Sequence, residues 1–194
     1  MHIPKLGPRV ARHHSPLLHR WGRRFLSRRG WRLEGNLPDL SHMILLGAPH
    51  TSNWDLVYCL AFEFALGFKA NWVGKNSLFF WPLGWLMARL GGVPVNRKFP
   101  RAMLRETVEL FKDRERFILA IAPEGTRSKV ERWKPGFHRI ARAAQVPVVP
   151  VCLDFGTRTI RIGQAFTVTR DMEADIAAIR QFYAGAVGKH PENT

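Results

Sequence analysis

Hydrophobic residues in this chain form short continuous runs that alternate with stretches of helical spacing. Continuous runs are typical of buried strands, and six are predicted, at residues 43–48, 70–73, 93–96, 117–122, 146–153 and 159–162. Helical spacing predicts five helices, at residues 53–66, 77–90, 100–112, 136–144 and 171–186. This order predicts an α/β fold, a single domain whose mostly parallel or mixed central sheet is flanked by helices.

The first thirty residues carry a different pattern, in which hydrophobic residues recur at helical spacing among arginines. Ser15 can cap such a helix and Pro16 suits its first turn, so we predict a basic amphipathic helix over residues 15–29. Its apolar side can pack on the core, enter a membrane interface, or do both. We therefore divide the chain into a membrane-surface arm at residues 1–32 and an α/β domain at residues 33–194.

Charge narrows the range of possible partners. The net charge of +15 and the pI of about 11.1 require an anionic partner surface, which nucleic acid and acidic phospholipid headgroups both provide. Nine lysines and arginines precede the first acidic residue, Glu34, so the amino-terminal region is strongly basic.

The location of the protein follows from what its apolar segments can do. No stretch reaches the roughly 18 uninterrupted apolar residues that a membrane-spanning helix needs, and the amino-terminal region lacks the pattern of a secretory signal. Cys59 and Cys152 each lie in an apolar segment, which is typical of reduced thiols in the cytoplasm. We expect a peripheral protein at the cytoplasmic face of a membrane.

A histidine and an aspartate five positions apart form the first candidate site. Residues five apart on a straight helix lie about 140° apart around its axis, so His50 and Asp55 can meet only if a turn joins them. Residues 51–53 are good helix caps, which places His50 in a strand-to-helix loop and Asp55 in the first helical turn. Such loops border the ligand crevices of α/β sheets. Ser52 and Asp55 also match a capping box, in which the carboxylate only accepts a backbone N–H.

Two glycine-containing segments further along the chain end in arginine. Residues 123–127, Pro-Glu-Gly-Thr-Arg, follow a predicted strand; Gly125 allows a positive φ, and Arg127 offers two parallel donors to a phosphate. Residues 91–97 end in Arg97, just past another predicted strand. Each segment alone is also compatible with an ordinary turn and a solvated arginine.

Taken in order, four segments resemble the sequence blocks of the glycerolipid acyltransferase family, the lysophospholipid acyltransferases related to 1-acylglycerol-3-phosphate acyltransferase. The blocks are His-x-x-x-x-Asp, Gly-x-x-x-x-Arg, Pro-Glu-Gly-Thr-Arg and Val-Pro-Val-x-Pro, matched at residues 50–55, 92–97, 123–127 and 146–150. The chain departs from the commonest pattern at Pro49, where asparagine usually precedes the histidine. Residues 33–194 are then expected to form an acyltransferase domain.

The resemblance implies an O-acyltransferase that moves a fatty acyl group from a thioester to the hydroxyl of a lysophospholipid, with lysophosphatidate giving phosphatidate as the leading case. His50 would be the general base and Asp55 would orient it, while Arg97 and Arg127 would hold the acceptor phosphate. The other substrate-binding positions that it implies are Lys75, Glu124, Gly125 and Thr126. Acyl-CoA or acylated carrier protein would be the co-substrate, and no cofactor or metal is expected.

Several other functions are compatible with parts of the sequence. A nucleic-acid-binding module fits the net charge, but no stacking motif or helix-turn-helix pattern accompanies it, so we expect an anionic membrane surface and not nucleic acid as partner. A lipid-binding protein without catalysis also fits. A covalent route through Cys59 would need a reactive thiol, which an apolar setting disfavours, and a metallohydrolase would need ligands beyond His50 and Asp55.

An aromatic-rich stretch at residues 78–87, Leu-Phe-Phe-Trp-Pro-Leu-Gly-Trp-Leu-Met, admits two interpretations. It is either a helix of the core, or a surface that contacts the membrane or guides an acyl chain. Exposure of its side chains distinguishes the two.

Overall fold

The computed structural model describes residues 3–13, 15–95 and 99–194. Within them lies a seven-stranded sheet, composed of β1 (Arg32–Glu34), β2 (His42–Ala48), β3 (Asn71–Lys75), β4 (Gly92–Val95), β5 (Phe117–Ile121), β6 (Val148–Asp154) and β7 (Thr159–Ile162). The helices of this part of the chain are α1 (Pro16–Arg28), α2 (Trp54–Leu66), α3 (Leu83–Arg89), α4 (Pro100–Asp113), α5 (Gly136–Ala144) and α6 (Met172–Gln181). Two 3₁₀ turns, Asn76–Leu78 and Pro191–Asn193, complete the elements described.

The strands are arranged in the order β1-β7-β6-β2-β5-β3-β4. β6 and β7 are antiparallel and every other neighbouring pair is parallel, so the predicted α/β fold with a mostly parallel or mixed sheet is confirmed. Because β2, β3, β4, β5 and β6 all run in one direction, their carboxyl ends share one edge of the sheet. The loops that follow them therefore lie at the edge where such sheets bind ligands.

The core has two layers, one on each face of the sheet. Along β2, Met43 and Leu45 enter the layer covered by α1 and α2, whereas Ile44 and Leu46 enter the layer covered by α4, α5 and α6. Successive strand residues point to opposite faces, so a strand covered on both sides is hydrophobic throughout. This explains the continuous apolar run in the sequence.

The basic amino-terminal helix packs along α2. Gly22 lets the two backbones approach, since a Cβ at that position would lie 2.5 Å from the carbonyl oxygen of Ala61. Leu26 is buried in the core, while Leu17 and Trp21 remain exposed among the arginines of the helix. The helix thus packs on the core through one side and presents a charged and partly apolar side to solvent. Among the helices described, none is both long and apolar enough to cross a membrane.

The structure corrects two predicted elements and adds one strand. The helix expected at residues 77–90 is a 3₁₀ turn followed by α3, because Pro82 lacks an N–H and obstructs a helix that continues through it. Its interpretation as a core helix is wrong, since four of its large hydrophobic side chains are exposed. α6 ends at Gln181 and not at residue 186. Turns follow it as far as Gly185, which has a φ of 75°. β1 was not predicted, because its three residues carry no apolar run and are ordered by pairing with β7.

A buried histidine–aspartate pair outside the candidate site ties α5 to α6. His138 Nε2 lies 2.8 Å from Asp175 Oδ2, and the Thr169 N–H donates to the same oxygen at 2.6 Å. Burial by itself raises the pKa of Asp175, but the hydrogen bonds from Thr169 and His138 outweigh it, so the pKa lies below its ordinary value of 3.8. Both side chains are almost fully buried, which makes this pair a structural contact.

Asp175→Asn is expected to lower the free energy of unfolding at neutral pH by about 2–3 kcal/mol, because a buried charged acceptor is lost. Because folding lowers the pKa of Asp175, the stabilisation that its charge provides is fully present above the ordinary pKa. This stabilisation is lost as the pH falls through the pKa of the folded state. Urea unfolding at about pH 7 and about pH 3 should therefore show a smaller difference between variant and wild type in acid. Exposed Glu173→Gln is the control, and an equal difference at both pH values would contradict the assignment.

Candidate active site

The loop between β2 and α2 places His50 and Asp55 side by side. His50 Nδ1 lies 3.0 Å from Asp55 Oδ2, with 30% of the histidine side chain and 5% of the aspartate side chain exposed. A carboxylate beside Nδ1 favours the tautomer in which Nδ1 carries the proton. Nε2 is then an acceptor. Within the part of the chain that the structure describes, Nε2 has no hydrogen-bond partner. The imidazole is therefore held from one side and available on the other.

The oxygen of Asp55 that contacts His50 also caps α2. It accepts the N–H groups of Thr51 at 2.7 Å and Ser52 at 2.8 Å, and Ser52 Oγ accepts the Trp54 N–H at 3.1 Å. The carboxylate half of the expected capping box is thus present together with the histidine contact, whereas Ser52 Oγ accepts the Trp54 N–H and not that of Asp55. Because two backbone donors fix the carboxylate, its position against the imidazole is set by the start of the helix.

Glu124, in the turn after β5, holds the backbone of the histidine. The His50 N–H donates to Glu124 Oε2 at 2.8 Å. Burial raises the pKa of Glu124 above its ordinary value and the Asp55 charge acts in the same direction, against the lowering effects of the His50 hydrogen bond and Arg180. The hydrogen bond between the His50 N–H and Glu124 joins two segments that lie 74 residues apart in the sequence.

The same turn brings Arg127 to the histidine loop. Its Nη1 donates to the side-chain oxygen of Asn53. Gly125 has a φ of 64°, as expected from the sequence, and a Cβ there would lie 2.7 Å from Lys134 Cδ. Thr126 Oγ1 accepts the Ser128 N–H at 3.4 Å, which is a weak bond within the turn.

Two further candidate positions are less completely placed. Arg97 lies outside the residues that the structure describes. Lys75 ends β3, where its backbone pairs with Val95, and its side chain is likewise outside the described part. The structure thus brings the histidine loop together with two segments: the start of α2, and the turn that carries Glu124 and Arg127.

Two clefts border the histidine loop. One has a volume of about 230 Å³, and its lining includes Pro49, Glu124, Trp133, Arg180 and Tyr183. The other has a volume of about 490 Å³, and its lining includes Ser52, Asn53, Trp54, Arg127 and His190. An imidazole able to accept a proton therefore lies in a loop whose flanks carry guanidinium groups able to bind an anion.

Sequence reasoning missed two contributors to these clefts. The Arg180 guanidinium stacks 5.6 Å from the ring centre of Trp133 and donates to the Glu131 carbonyl at 3.0 Å. The His190 N–H donates to Thr51 Oγ1 at 3.1 Å, which ties the carboxyl-terminal segment to the histidine loop. No motif marks Arg180 or His190, so only the tertiary fold reveals them.

The structure also bears on a covalent route through Cys59 and on a metal-dependent reaction. Cys59 lies one helical turn after Asp55 and reaches the surface. The protein around it nevertheless removes much of its hydration, and this raises the pKa of the thiol to about 12, with the Asp55 and Glu63 carboxylates adding to the shift. A thiol that stays protonated is a poor nucleophile.

Residues 3–13, 15–95 and 99–194 contain no cluster of three or more histidine, cysteine or acidic side chains that could hold a metal ion.

A histidine–carboxylate pair lies close to arginine side chains at the carboxyl edge of an α/β sheet, and groups of these kinds can accept a proton and bind an anion. The chain belongs to the Acyltransferase family, whose sequence model matches residues 31–154. This confirms the resemblance found in the sequence. The matched segment contains His50, Asp55 and the Glu124–Arg127 turn.

Curated relatives share part of this chain. A chloroplastic 1-acyl-sn-glycerol-3-phosphate acyltransferase of Brassica napus is 34% identical over 125 residues, which cover 61% of this chain and 35% of the relative. The 1-acyl-sn-glycerol-3-phosphate acyltransferase of Escherichia coli is 36% identical over 99 residues, which cover 47% of this chain and 40% of the relative. The similarity thus spans little more than a third of these proteins.

A solved structure shares the fold over a longer stretch. The 1-acyl-sn-glycerophosphate acyltransferase of Thermotoga maritima superposes with a TM-score of 0.60 over 86% of this chain and 76% of its own. Sequence identity in the pair is 22%, so this similarity concerns the fold alone.

Proposed function

We propose that the protein is an O-acyltransferase that moves a fatty acyl group from a thioester, acyl-CoA or acylated carrier protein, to the hydroxyl of a lysophospholipid. Lysophosphatidate is the leading acceptor, with phosphatidate as product. The observation that carries the proposal is the 3.0 Å contact between His50 Nδ1 and Asp55 Oδ2, which leaves Nε2 available as a base. The names of the curated relatives support the acceptor class.

In the proposed mechanism the acceptor hydroxyl attacks the thioester carbonyl directly. The hydroxyl oxygen bonds to the carbonyl carbon while His50 Nε2 takes its proton, the carbon–sulfur bond then breaks, and the imidazolium returns the proton to the departing thiolate. Asp55 keeps the imidazole in the required tautomer and stabilises its charged form. A thioester is already reactive, so positioning and base catalysis are the main tasks of the site.

The acceptor phosphate is proposed to bind on the Arg127 side of the histidine loop. Arg127 offers parallel donors that match phosphate oxygens, and Gly125, two residues before it, gives the turn its positive φ. Arg97 and Lys75, assigned from the family resemblance, would add charge there. Thr126 and Glu124 would shape the turn.

Arg127→Gln is expected to raise the KM for lysophosphatidate by about tenfold to a hundredfold with a smaller change in kcat, because charge-assisted hydrogen bonds are worth about 1.5–3 kcal/mol. Steady-state kinetics with varied acceptor would measure this. Lys129→Gln removes the same charge from a neighbouring exposed position and is the matched control. Equal effects of the two substitutions would argue against a specific phosphate contact.

Glu124→Ala is expected to lower kcat by about tenfold to a hundredfold, because the His50 backbone loses its anchor and a misplacement of about 1 Å is costly. Glu124→Gln can still accept the His50 N–H and should retain more activity. The KM for the acceptor should change little in either variant. If alanine and glutamine lowered kcat equally, the negative charge and not the hydrogen bond would be the important property.

The proposed location is the cytoplasmic face of a membrane, with the protein attached peripherally to anionic lipid. The arginine side of α1 supports this proposal, since each cation near an anionic surface contributes about 1 kcal/mol before screening. No cofactor is part of the proposal.

The experiment that tests the function offers the purified protein a panel of acceptors. Lysophosphatidate, other lysophospholipids and glycerol phosphate would each be incubated with acyl-CoA or acylated carrier protein, and products identified by mass spectrometry. The proposal predicts an acylated lysolipid whose formation requires His50. It is abandoned if no acceptor is acylated while the protein binds nucleic acid with nanomolar affinity.

A further inference from the structure

The segment around α3 exposes a cluster of large hydrophobic side chains. The exposed fractions are 87% for Trp81, 65% for Trp85, 60% for Phe80 and 43% for Leu86. We call these four residues the aromatic turn. Two neighbouring tryptophans this exposed are costly in water, and such patches usually mark a surface for a partner or a membrane.

The aromatic turn is held firmly from beneath. Phe79 points inward and packs closely against three glycines. A Cβ at Gly74 or Gly92 would lie within 3.0 Å of the Phe79 ring, and a Cβ at Gly84 would collide with the Phe79 backbone. The Phe79 ring also packs 6.2 Å from that of Trp72. A packed base below the exposed side chains indicates a built surface and not a frayed loop.

The charges of the chain segment that contains the aromatic turn are all of one sign. No aspartate or glutamate occurs between Glu63 and Glu106, whereas seven lysines and arginines do. The Arg89 guanidinium lies 5.4 Å from the ring centre of Trp85. A long basic segment without acidic residues is complementary to a continuous anionic surface.

The position of the turn relates it to the candidate active site. It follows the carboxyl end of β3, and β3 is parallel to β5, which is parallel to β2. The Phe80–Trp81 end of the turn and the His50 loop therefore start from the same edge of the sheet. In the proposed function, the lysophospholipid acceptor carries an acyl chain and reaches this edge from a lipid phase.

We infer that the aromatic turn is the element that inserts into the headgroup region of an anionic bilayer. Tryptophan is favoured at that depth because its ring is largely apolar while the indole N–H stays hydrated, and the exposed ring of Phe80 adds apolar area beside it. Arg89, whose guanidinium lies over the Trp85 ring, can keep its charge among the headgroups. The inference deepens the proposed function by naming the surface that enters the membrane, and it rests on that function for the lipid partner.

The test combines vesicle binding with depth-sensitive quenching. Wild type, Trp81→Ala/Trp85→Ala and the control Leu17→Ala/Trp21→Ala on α1 would be mixed with vesicles of phosphatidylcholine and phosphatidylglycerol, with or without bromine on the acyl chains. The aromatic-turn variant should bind about tenfold to a hundredfold more weakly and lose most bromine quenching, since burial of a large apolar side chain is worth about 1.5–3 kcal/mol. The α1 control should retain the quenching.

The inference is overturned if vesicle binding and quenching are unchanged in the aromatic-turn variant. It is also overturned if both are lost in the α1 control alone. The exposed surface would then serve a protein partner. Thermal unfolding checks that the variants fold, and removal of exposed side chains should leave the midpoint unchanged. Acyl transfer to a short-chain lysophosphatidate below its micelle concentration separates the two proposals. Failure of wild type in that assay refutes the proposed function, whereas failure of the quenching result alone refutes the inserting surface.

Discussion

His50→Ala is expected to lower kcat for acyl transfer by on the order of 10²–10⁴, the contribution of a positioned general base. The substitution leaves the acceptor hydroxyl without a group to take its proton, while Arg127 and its turn stay in place to bind the phosphate. The KM for lysophosphatidate should therefore change far less than kcat. Single-turnover transfer measured by mass spectrometry would separate the chemical step from product release.

The variant must also be shown to fold. His50 is partly exposed and its backbone N–H still reaches Glu124, so the thermal unfolding midpoint should stay close to that of wild type. Cys59→Ala serves as a second comparison, because a protonated thiol should contribute little. Turnover that survives in His50→Ala but disappears in Cys59→Ala would replace direct attack by a covalent route.

Two substitutions at Asp55 should separate its role in catalysis from its role in capping. Asparagine places an oxygen where Oδ2 now accepts the Thr51 and Ser52 N–H groups, but it carries no charge to stabilise the imidazolium. We expect Asp55→Asn to lower kcat by on the order of 10²–10⁴ with little loss of stability.

Asp55→Ala should lose the same activity and also destabilise the protein by about 1–2 kcal/mol, because α2 loses its cap. Urea unfolding together with acyl-transfer kinetics for both variants provides the measurement. If Asp55→Asn retained wild-type kcat, the carboxylate would be a helix cap alone and the proposed base would lack its charged partner.

Local signals explain which features the sequence could predict. The strand at β2 and the capped start of α2 follow from neighbouring residues, so the turn that joins His50 to Asp55 could be placed before the structure was known. The break in the predicted helix at 77–90 was also encoded locally, by Pro82, but the apolar spacing on both sides concealed it.

The remaining features depend on contacts between distant segments. The His50–Glu124 hydrogen bond and the contact of Arg127 with Asn53 each join residues 74 positions apart. The buried His138–Asp175 pair resembles the candidate site in composition, and only its burial shows that it is structural. Neither spacing nor hydropathy specifies such pairings, because they arise when the strands assemble in their final order.

The central claim is that the histidine base and the phosphate site serve one acceptor molecule. The most direct measurement is a crystal structure of the protein with a lysophosphatidate analogue bound. The account predicts the acceptor hydroxyl about 2.6–3.2 Å from His50 Nε2, with the phosphate on Arg127. A phosphate bound elsewhere, with the hydroxyl out of reach of the imidazole, would contradict it.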